Sequence, residues 1–550
     1  MTDNEKLADL LFPDVTQTPD DLEKMYPQRS LAEGAAVTRF APSPTGFLHI
    51  GGLFAALCAY LTAKDRNGIF YLRIEDTDKK REVENGVSGI ISGLEAFGIV
   101  PDEGVTGENS EKGIYGPYTQ SKRRNVYHIM AKYLTAAGFA YPCFCTEEQI
   151  SKLREQQIKD GVNPGYYGKY AKCRSLSFEE IEKRINAGEQ YVLRLRSPGD
   201  ENKKITFTDQ IKGKIEMPEN ILDIVLLKAD GMPTYHFAHA VDDHFMRTTH
   251  VVRGDEWISS VPIHIQLFSC LNFRAPKYAH IAPVMKEDGG GKRKLSKRKD
   301  PEASVTFYSE QGYPKDSVLE YLYTLANSNF EDWRRANRQS PRSDFAFSFK
   351  KMSTSGALFD LLKLDDVSRN VISVMDTDTV FSQLMPWAQQ YDETMYTLFE
   401  NDPQYLKNIL SIDRGIKKPR KDIAKWSDVK QYLSYFYDEL FDGSFAIPEN
   451  IRMDDAKDIL RAYAAVYDEN DEKDVWFEKM KSICAPLGFS PDVRAYKESP
   501  DDFKGHVGDV SEVVRIAVTG RANTPDLCAV MKLLGRQRVI SRLERIYNER

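Results

Sequence analysis

The sequence predicts an open α/β sheet, doubly wound and mostly parallel, that carries an inserted domain and is followed by a long helical region. Three observations predict it. Strand and helix patterns alternate over residues 36–110 and again over 206–285. The stretch between them, 111–205, is richer in Lys, Tyr and Cys. From about residue 310 the apolar residues recur mostly at helical spacing.

Each half of the sheet is predicted from strands joined by crossover helices. In the first half, "VTRFAPS" has a strand pattern, "GLFAALCAYLTAKD" has helical spacing, and "IFYLRI" is a buried strand. A strand–helix–strand unit of this length implies a parallel pair. The second half repeats the order in "DIVLLKAD", "TYHFAHAVDDHF", "HVVRG" and "ISSVPIHIQLFSCL". The fold class is therefore α/β and Rossmann-like, with an inserted α/β domain and all-α C-terminal domains.

The composition excludes several classes of protein. The chain has 550 residues, a net charge of −7 and seven cysteines. It contains no run of about 18 apolar residues, and its N-terminus lacks the apolar core of a signal peptide. An odd number of cysteines in a long chain fits a reducing compartment, so we expect a cytoplasmic protein. The global charge does not indicate nucleic-acid binding, which would have to use local basic patches.

The turn after the first strand has the features of a nucleotide site. Gly51 and Gly52 stand where the next helix begins, directly after His49 and Ile50. A helix N-terminus presents unpaired N–H groups, and glycines let a phosphate approach them. Glu75, Asp76 and Asp78 follow the next strand, where carboxylates can hold an ammonium group or a ribose hydroxyl. The alternative is that the glycines serve helix packing, His49 caps the helix and the acids form a solvated loop.

A basic run, "KRKLSKRKD", covers residues 292–300 and follows three glycines. Runs of this kind are usually a solvated face or a nucleic-acid patch. On a mobile loop, however, such lysines can close over a triphosphate and stabilise the charge that builds on pyrophosphate as it leaves. The run is therefore a candidate partner of the glycine turn.

Together, the two elements resemble a known family. "PSPTGFLHIGG" is similar to the histidine signature of class I aminoacyl-tRNA synthetases, and "KLSKR" is similar to their lysine signature. "RFAPSPTG", "YLRIEDTD", "PTYHFAHAVDDH" and "VVRGDEW" resemble glutamyl-tRNA synthetases, and "VTGRANTPDLCAVMKLLGRQRVISRLERIY" resembles the helical C-terminus of the bacterial type. The resemblance implies ATP-dependent activation of L-glutamate to glutamyl-adenylate and its transfer to the 3′ end of tRNA(Glu). It leaves open whether tRNA(Gln) is also charged.

The resemblance also implies site residues. Those implied to bind glutamate are Arg39, Ser43, Glu75, Tyr235, His239 and Arg253. Those implied to bind ATP, which arrives with Mg²⁺, are His49, Gly51, Gly52, Glu256, Trp257, Lys294, Ser296 and Lys297, and among them His49, Lys294 and Lys297 are implied to be catalytic. An arginine fork suits a buried carboxylate, whereas glutamine lacks the charge and should be penalised. At the position of His239 the family more commonly has Asn. Taken singly, each arginine could instead form a structural ion pair.

The resemblance assigns a role to each segment of the chain. The segments are an N-terminal helical extension (1–35), the first half of the catalytic domain (36–110), an inserted domain for the acceptor end of tRNA (111–205), the second half of the catalytic domain (206–285), the lysine-signature loop with a stem-contact domain (286–375), and a helical anticodon-binding domain (376–550). We expect a monomer.

A structural zinc ion is a further expectation. Cys143, Cys145 and Cys173 resemble the zinc site of the inserted domain in some relatives. Ser175 stands where those relatives carry the last ligand, and serine is a poor one, so Tyr170 or Tyr166 would have to complete the four ligands that structural zinc requires. The alternative is three reduced cysteines.

Two basic segments are candidates for contact with tRNA, because cations neutralise phosphates and aromatic rings stack on unpaired bases. The first is "DRGIKKPRKDIAKW", with Arg414, Lys417, Lys418 and Arg420 as its candidate residues. The second places Arg538, Arg542 and Arg545 along one side of the last helix, where a solvated face is an equal alternative.

Three other functions compete with the synthetase interpretation. A non-catalytic tRNA-binding paralogue would not need the histidine, glutamate, arginine and lysines of both signatures. A relative that glutamylates a modified tRNA base lacks the anticodon-binding domain, and a small-molecule adenylyltransferase would not need 550 residues.

Overall fold

A computed structural model of the chain describes residues 2–46, 48–78, 83–296 and 298–548. The chain divides into two compact units. The first comprises Met1–Phe307 with Leu322–Asp360, and the second comprises Tyr308–Tyr321 with Leu361–Arg550.

Two short helices precede the sheet, α1 (Asp3–Leu11) and α2 (Pro19–Met25). Each begins with a capping box, which Thr2 and Thr18 open. The segment after α2 is tied to the sheet by Arg29, whose guanidinium donates to both carboxylate oxygens of Glu103 at 2.8 and 2.9 Å. The segment thus contains two helices, as its sequence predicts.

The first half of the sheet contains β1 (Val37–Phe40), α3 (Ile50–Lys64), β2 (Ile69–Leu72), α4 (Gly86–Glu95), β3 (Glu103–Gly107) and β4 (Ser110–Lys112). β1 pairs in parallel with β2, β2 pairs in parallel with β3, and β4 runs antiparallel to β3. The predicted strand–helix–strand unit is thus confirmed. Gly68 is needed between α3 and β2, because a Cβ there would lie 1.9 Å from the carbonyl oxygen of Ala36.

The inserted region contains α5 (Arg124–Ala136), β5 (Ala140–Cys143), α6 (Glu147–Lys159), α7 (Phe178–Asn186), β6 (Val192–Leu195), β7 (Lys204–Asp209), β8 (Gly213–Pro218) and β9 (Val225–Leu227). β5, β6 and β9 form one antiparallel sheet, and β7 and β8 form a hairpin. The stretch "DIVLLKAD" is a strand as predicted, but its place in the parallel sheet was wrong, because it pairs with β6. Periodicity identifies a strand without identifying its neighbours.

The second half of the sheet contains α8 (Tyr235–Phe245), β10 (His250–Gly254), α9 (Val261–Cys270) and β11 (Lys277–Ile281). β10 and β11 are parallel. The two halves meet at β1, where the Val37 N–H donates to Thr249 Oγ1 at 2.8 Å and the Thr249 N–H donates to the Val37 carbonyl at 2.9 Å. The predicted doubly wound arrangement is therefore confirmed.

The basic run lies partly in a hairpin of β12 (Val284–Asp288) and β13 (Gly291–Lys294). Gly289 and Gly290 form its turn with φ of +58° and +91°, a backbone region that favours glycine. The glycines therefore turn a hairpin, and Lys294 is the last residue of a strand rather than part of a wholly mobile loop.

The remaining elements are α10 (Val305–Gln311), α11 (Lys315–Ala326), α12 (Phe330–Ala336), β14 (Ala357–Leu358), α13 (Leu361–Val374), α14 (Thr377–Tyr391), α15 (Glu393–Asn401), α16 (Pro403–Ser411), α17 (Val429–Tyr432), α18 (Met453–Val466), α19 (Lys473–Ser482), α20 (Val493–Glu498), α21 (Val507–Thr519) and α22 (Leu527–Asn548). The second unit packs its helices around one buried apolar core that includes Trp426 and Met531. The predicted all-α C-terminal region is confirmed. Among the described residues, no helix combines the length and apolarity needed to cross a membrane.

The buried carboxylate of Asp242 in α8 joins the sheet to the inserted region. It accepts hydrogen bonds from Arg123 Nε at 2.7 Å, Gln120 Nε2 at 2.9 Å and the Tyr127 hydroxyl at 2.9 Å. Arg123 is itself 1% exposed, so no water can replace the carboxylate as its partner.

We expect Asp242→Ala to destabilise the protein by about 3–5 kcal/mol, because it leaves the Arg123 cation buried without a counter-charge. Thermal unfolding followed by circular dichroism measures the effect. The matched control is Glu216→Ala, which removes an exposed pair with Lys204 and should cost less than about 1 kcal/mol. Equal melting temperatures for the two variants would contradict the prediction.

Candidate active site

A cavity of about 420 Å³ opens at the carboxyl ends of β10 and β11, beside the start of α3. Its lining includes His49, Gly51, Gly52, Glu256 and Lys294. Parallel sheets bind ligands at this edge, because the loops after the strands diverge there. The structure therefore brings together five of the eight residues implied for ATP.

The N-terminus of α3 faces this cavity with His49 as its cap. The Gly52 N–H donates to His49 Nδ1 at 3.0 Å, so Nε2 carries the ring proton of the neutral imidazole. A Cβ on Gly51 would lie 3.1 Å from the His49 ring, and one on Gly52 would lie 3.0 Å from Leu48. The glycines thus serve close packing and His49 caps the helix, as one alternative predicts, whereas the solvated acidic loop of that alternative is wrong for Glu75, whose side chain is 9% exposed. The nucleotide site stays a prediction.

The strand ends beside the cavity carry a buried charge cluster. Arg39, at 3% exposure, has its Nε 3.2 Å from Asp243 Oδ1, and Arg73 Nη1 lies 2.6 Å from the same oxygen. Arg73 also donates to Glu75 at 3.2 Å. Burial alone would raise the pKa of Asp243, but the two guanidinium groups hold it well below its ordinary value. Burial raises the pKa of Glu75 despite the Arg73 charge.

Arg253, at the end of β10, is held by neutral groups. It donates to the Tyr235 hydroxyl at 3.2 Å, to His280 Nε2 at 3.1 Å, to His264 Nδ1 at 3.2 Å and to the Trp257 carbonyl at 3.4 Å. Within the described part of the chain, none of the atoms that accept from Arg253 belongs to a carboxylate. The Tyr235 and Trp257 rings lie 4.2 Å apart and form one wall beside it.

His239 is fully buried beneath this wall. Its Nε2 lies 3.0 Å from the Tyr278 hydroxyl, and its Nδ1 lies 2.8 Å from Asp243. Burial lowers the pKa of His239 to about 3. The geometry therefore places His239 behind the cluster, whereas Ser43, in the turn after β1, is exposed.

The segment after Lys294 is braced by Asp300. This carboxylate, 2% exposed, accepts from Arg293 Nη1 and Nη2 at 2.6 and 2.7 Å and from the Ser296 N–H at 2.9 Å. The Arg293 hydrogen bonds hold the pKa of Asp300 below its ordinary value. Ser304 then forms a bridge with His49, which returns the chain to the cavity. Lys297 lies outside the described residues.

A second cluster lies in the inserted region, at the end of β5. The sulfur atoms of Cys143, Cys145 and Cys173 all lie within 4.8 Å of one another. The Tyr166 hydroxyl is 3.3 Å from Cys145 Sγ and accepts from the Cys173 N–H at 3.0 Å. Tyr170 instead packs edge-on against Tyr167. The three thiols are donors that suit a soft divalent metal, and the phenol oxygen of Tyr166 lies beside them.

The basic segments predicted to contact tRNA are partly occupied by internal contacts. Arg414 donates to the carbonyls of Ile372 and Met375 at 2.8 and 2.9 Å, and Arg420 pairs with Asp422 at 2.6 Å. Lys417 and Lys418 are exposed in the turn between them.

The three arginines of the last helix, predicted either to contact tRNA or to form a solvated face, differ in exposure. Arg542 is 6% exposed and donates to the carbonyls of Tyr435 and Val518 at 2.8 and 2.7 Å. Arg538 pairs with Asp438 at 2.9 Å. Arg542 therefore packs within the second unit, which a helical wheel does not show, whereas Arg545 is exposed and Arg538 is partly exposed.

Sequence reasoning missed the residues that hold the arginines. Arg73, Asp243, His264 and His280 were not singled out, although each is buried. The signal for Arg73 was available, since a charged residue within the strand pattern "FYLRI" needs a buried partner. The partners themselves come from distant parts of the chain and carry no local signal.

Comparison with known proteins finds related sequences and a related structure. The family model for the catalytic domain of class I tRNA synthetases (E and Q) matches residues 35–366, and a model for an anticodon binding domain matches residues 494–547. The chain is 51% identical over 543 residues to a glutamate–tRNA ligase of Clostridium perfringens, covering 98% of this chain and 100% of that one. It is 48% identical over 545 residues to one of Acetivibrio thermocellus, covering 99% and 100%. A crystal structure of a glutamate tRNA ligase from Elizabethkingia meningosepticum in complex with its amino acid matches with a TM-score of 0.73 and 28% identity, covering 93% of this chain and 99% of that one.

We expect His239→Asn to reduce the loss of stability at acid pH. In the folded protein the pKa of His239 is lowered to about 3, whereas the unfolded chain takes up this proton near pH 6.5. Between these values the unfolded state binds more protons, so His239 makes stability fall as the pH falls.

Melting temperatures from pH 7.5 to pH 5 measure this effect. The variant's melting temperature should fall less steeply than that of the natural protein. Equal slopes of melting temperature against pH for the two proteins would show that His239 does not contribute to the loss of stability at acid pH.

Proposed function

We propose a set of residue roles from one premise: the chain belongs to the class I tRNA synthetases for glutamate and glutamine, within the family of glutamate–tRNA ligases. Its substrates are then glutamate, ATP and tRNA. The α-carboxylate of glutamate attacks the α-phosphorus of ATP, and pyrophosphate leaves. The terminal ribose hydroxyl of tRNA(Glu) then attacks the carbonyl carbon of the adenylate, and AMP leaves.

The charge balance of the pocket is the observation that carries the role of Arg253. Arg39 and Arg73 form buried ion pairs with the carboxylates of Asp243 and Glu75, so these four charges cancel. Arg253 adds a cation whose hydrogen-bond acceptors are all neutral. A substrate carboxylate gains most from such a charge in a buried site. We therefore assign Arg253 to the side-chain carboxylate of glutamate.

Glu75 and Arg39 take the other end of the amino acid in this proposal. Burial raises the pKa of Tyr235, and the charges of Arg253, Glu75 and Arg39 also act on it, which supports a shared environment for these groups. Glu75 would receive the α-ammonium group, and Arg39 would set the field for the α-carboxylate. Ser43 is close in sequence to Arg39, in the turn after β1, and would lie at the end of the site that holds the α-ammonium and α-carboxylate groups. His239 would not touch the substrate and would act through its contacts with Asp243 and Tyr278.

The ATP site would combine the start of α3 with Lys294. Helix N-termini bind phosphates through their N–H groups, and although His49 Nδ1 caps the Gly52 N–H, the missing side chains at Gly51 and Gly52 would let a phosphate approach the backbone. His49 and Lys294 both line the cavity, and Lys294 would supply a cation to the phosphates. Lys297, which belongs to the same signature, stays a prediction. The protein needs no nucleophile of its own, because positioning and charge stabilisation suffice.

The outer segments would bind tRNA. The match to an anticodon binding domain over residues 494–547 supports this role for the C-terminal helices, and the exposure of Lys417 and Lys418 leaves them accessible to phosphates. The inserted segment would hold the acceptor end and residues 286–375 the stem. A monomeric state and a cytoplasmic location stay predictions from the sequence.

A structural Zn²⁺ is proposed for the cysteine cluster, with Cys143, Cys145 and Cys173 as thiolate ligands and Tyr166 as the oxygen ligand. Its role would be to hold the end of β5 against the turn at Cys173, far along the chain from the reacting groups.

We expect Arg253→Ala to lower kcat/KM for glutamate about 100-fold or more, because a buried charge-assisted contact is worth roughly 2–5 kcal/mol. Pyrophosphate exchange into ATP in the presence of tRNA measures it, and equilibrium dialysis should show unchanged ATP binding. Arg274→Ala, an exposed arginine near β11, is the matched control. Equal loss of ATP binding would show that Arg253 is structural.

We expect protein purified without chelator to contain one equivalent of zinc. Cys145→Ala should lose the metal, whereas Cys270→Ala, which removes a buried cysteine outside the cluster, should retain it. Elemental analysis of the three proteins decides the matter. A metal content well below stoichiometry in the natural protein would contradict the proposal.

A further inference from the structure

Asp209, the last residue of β7, is a buried carboxylate that the mechanism above does not use. It is 1% exposed, and its Oδ1 accepts from the backbone N–H groups of Ile211 and Lys212 at 2.9 Å each. Its Oδ2 accepts from His280 twice, from the backbone N–H at 3.1 Å and from Nδ1 at 2.7 Å. Burial would raise the pKa of Asp209, but these donors hold it below its ordinary value. The group is therefore a fixed, ionised acceptor.

The carboxylate determines which nitrogen of His280 carries the proton. An ionised carboxylate can only accept, so His280 Nδ1 is the donor. Burial lowers the pKa of His280, which leaves Nε2 as a lone pair. That lone pair faces Arg253 Nε–H at 3.1 Å. If the proton moved to Nε2, two donors would face each other and the contact with Arg253 would be lost.

His264 provides a second neutral acceptor. Its Nδ1 accepts from Arg253 Nη2 at 3.2 Å, and its Nε2 lies 3.0 Å from His236 Nδ1. Because Nδ1 is the acceptor, Nε2–H donates to His236. Burial and the Arg253 charge lower the pKa of both rings, which keeps them neutral.

We infer that Asp209 and His280 are positioning residues for Arg253, and that they aim its remaining donor at the side chain of the amino acid. The inference rests on the proposed role of Arg253. Four of the five N–H groups of a guanidinium are matched by the contacts above, which leaves one on Nη1. The Tyr235 hydroxyl accepts from Nη1, so its own proton is directed away from Arg253.

The two remaining donors explain selection for an acid. Arg253 Nη1 and the Tyr235 hydroxyl lie 3.2 Å apart, so one carboxylate could accept from the remaining N–H and from the O–H. Glutamine would have to place its amide NH₂ toward one of them, and the mismatch leaves a buried donor without an acceptor. The orientation of the guanidinium depends on His280, and the tautomer of His280 depends on Asp209, in the way a buried aspartate orients a catalytic histidine.

Two substitutions of His280 separate positioning from packing. In His280→Asn the amide reaches the position of Nδ1, so it keeps the bond to Asp209 and removes the acceptor for Arg253. In His280→Gln the amide oxygen reaches the position of Nε2, so it keeps an acceptor for Arg253 and gives up the donor to Asp209. Asp209→Asn should resemble His280→Asn, because it no longer fixes the tautomer.

Steady-state pyrophosphate exchange with tRNA, varying glutamate, glutamine and ATP separately, tests the inference. We expect His280→Asn and Asp209→Asn to raise the KM for glutamate about tenfold, the size of one hydrogen bond to a charged group, with the KM for ATP unchanged. Preference for glutamate over glutamine should fall by a similar factor. His280→Gln should stay within about threefold of the natural protein.

Equal effects of the Asn and Gln variants on glutamate, ATP and melting temperature would overturn the inference and show that His280 only packs. A glutamate KM equal to that of the natural protein in His280→Asn and His280→Gln, together with a raised KM in Arg253→Ala, would also overturn the inference. The proposed role of Arg253 would then still stand. A natural glutamate KM in Arg253→Ala would instead refute the proposed role of Arg253 itself.

Discussion

The buried carboxylate of Asp243 is the constraint on which the pocket depends. It lies within 3.2 Å of Arg39 on β1, 2.6 Å of Arg73 after β2 and 2.8 Å of His239 in α8. Three elements from separate parts of the chain therefore converge on one anion. Because an unpaired charge at this depth would cost several kcal/mol, the strands and the helix are held in the one arrangement that keeps all partners in place. Glu75 depends on the same constraint, because its carboxylate accepts from Arg73, which Asp243 holds in place.

The arginines of the pocket divide into two kinds by their partners. Arg39 and Arg73 face carboxylates and are part of the framework. Arg253 faces imidazoles, a phenol and a carbonyl, so its charge is only distantly balanced by Asp209 behind His280. The same residue type thus pairs with buried carboxylates in one place and, in the proposed function, binds the substrate carboxylate in another. Burial of the neutral histidines makes this possible, because desolvation disfavours their protonation beside a cation.

The proposed ATP site would be built differently. The cavity is lined by the start of α3 and by Lys294, and the segment after Lys294 is held by Asp300, which accepts from Arg293 and the Ser296 N–H. In the proposal these groups would already be in place when a triphosphate binds, which is how preorganised donors contribute most.

The sequence by itself determined the local elements and the family. Periodicity fixed the first strand–helix–strand unit and the helical C-terminal region, since these signals span only a few turns or strand residues. Only the tertiary structure decided that "DIVLLKAD" joins an antiparallel sheet, that Arg542 is buried, that Tyr166 faces the three cysteines, and that Asp209 and His280 stand behind Arg253. These facts depend on contacts between residues distant in the chain, whose partners are chosen by packing and by the need to pair every buried charge, and no local pattern encodes that choice.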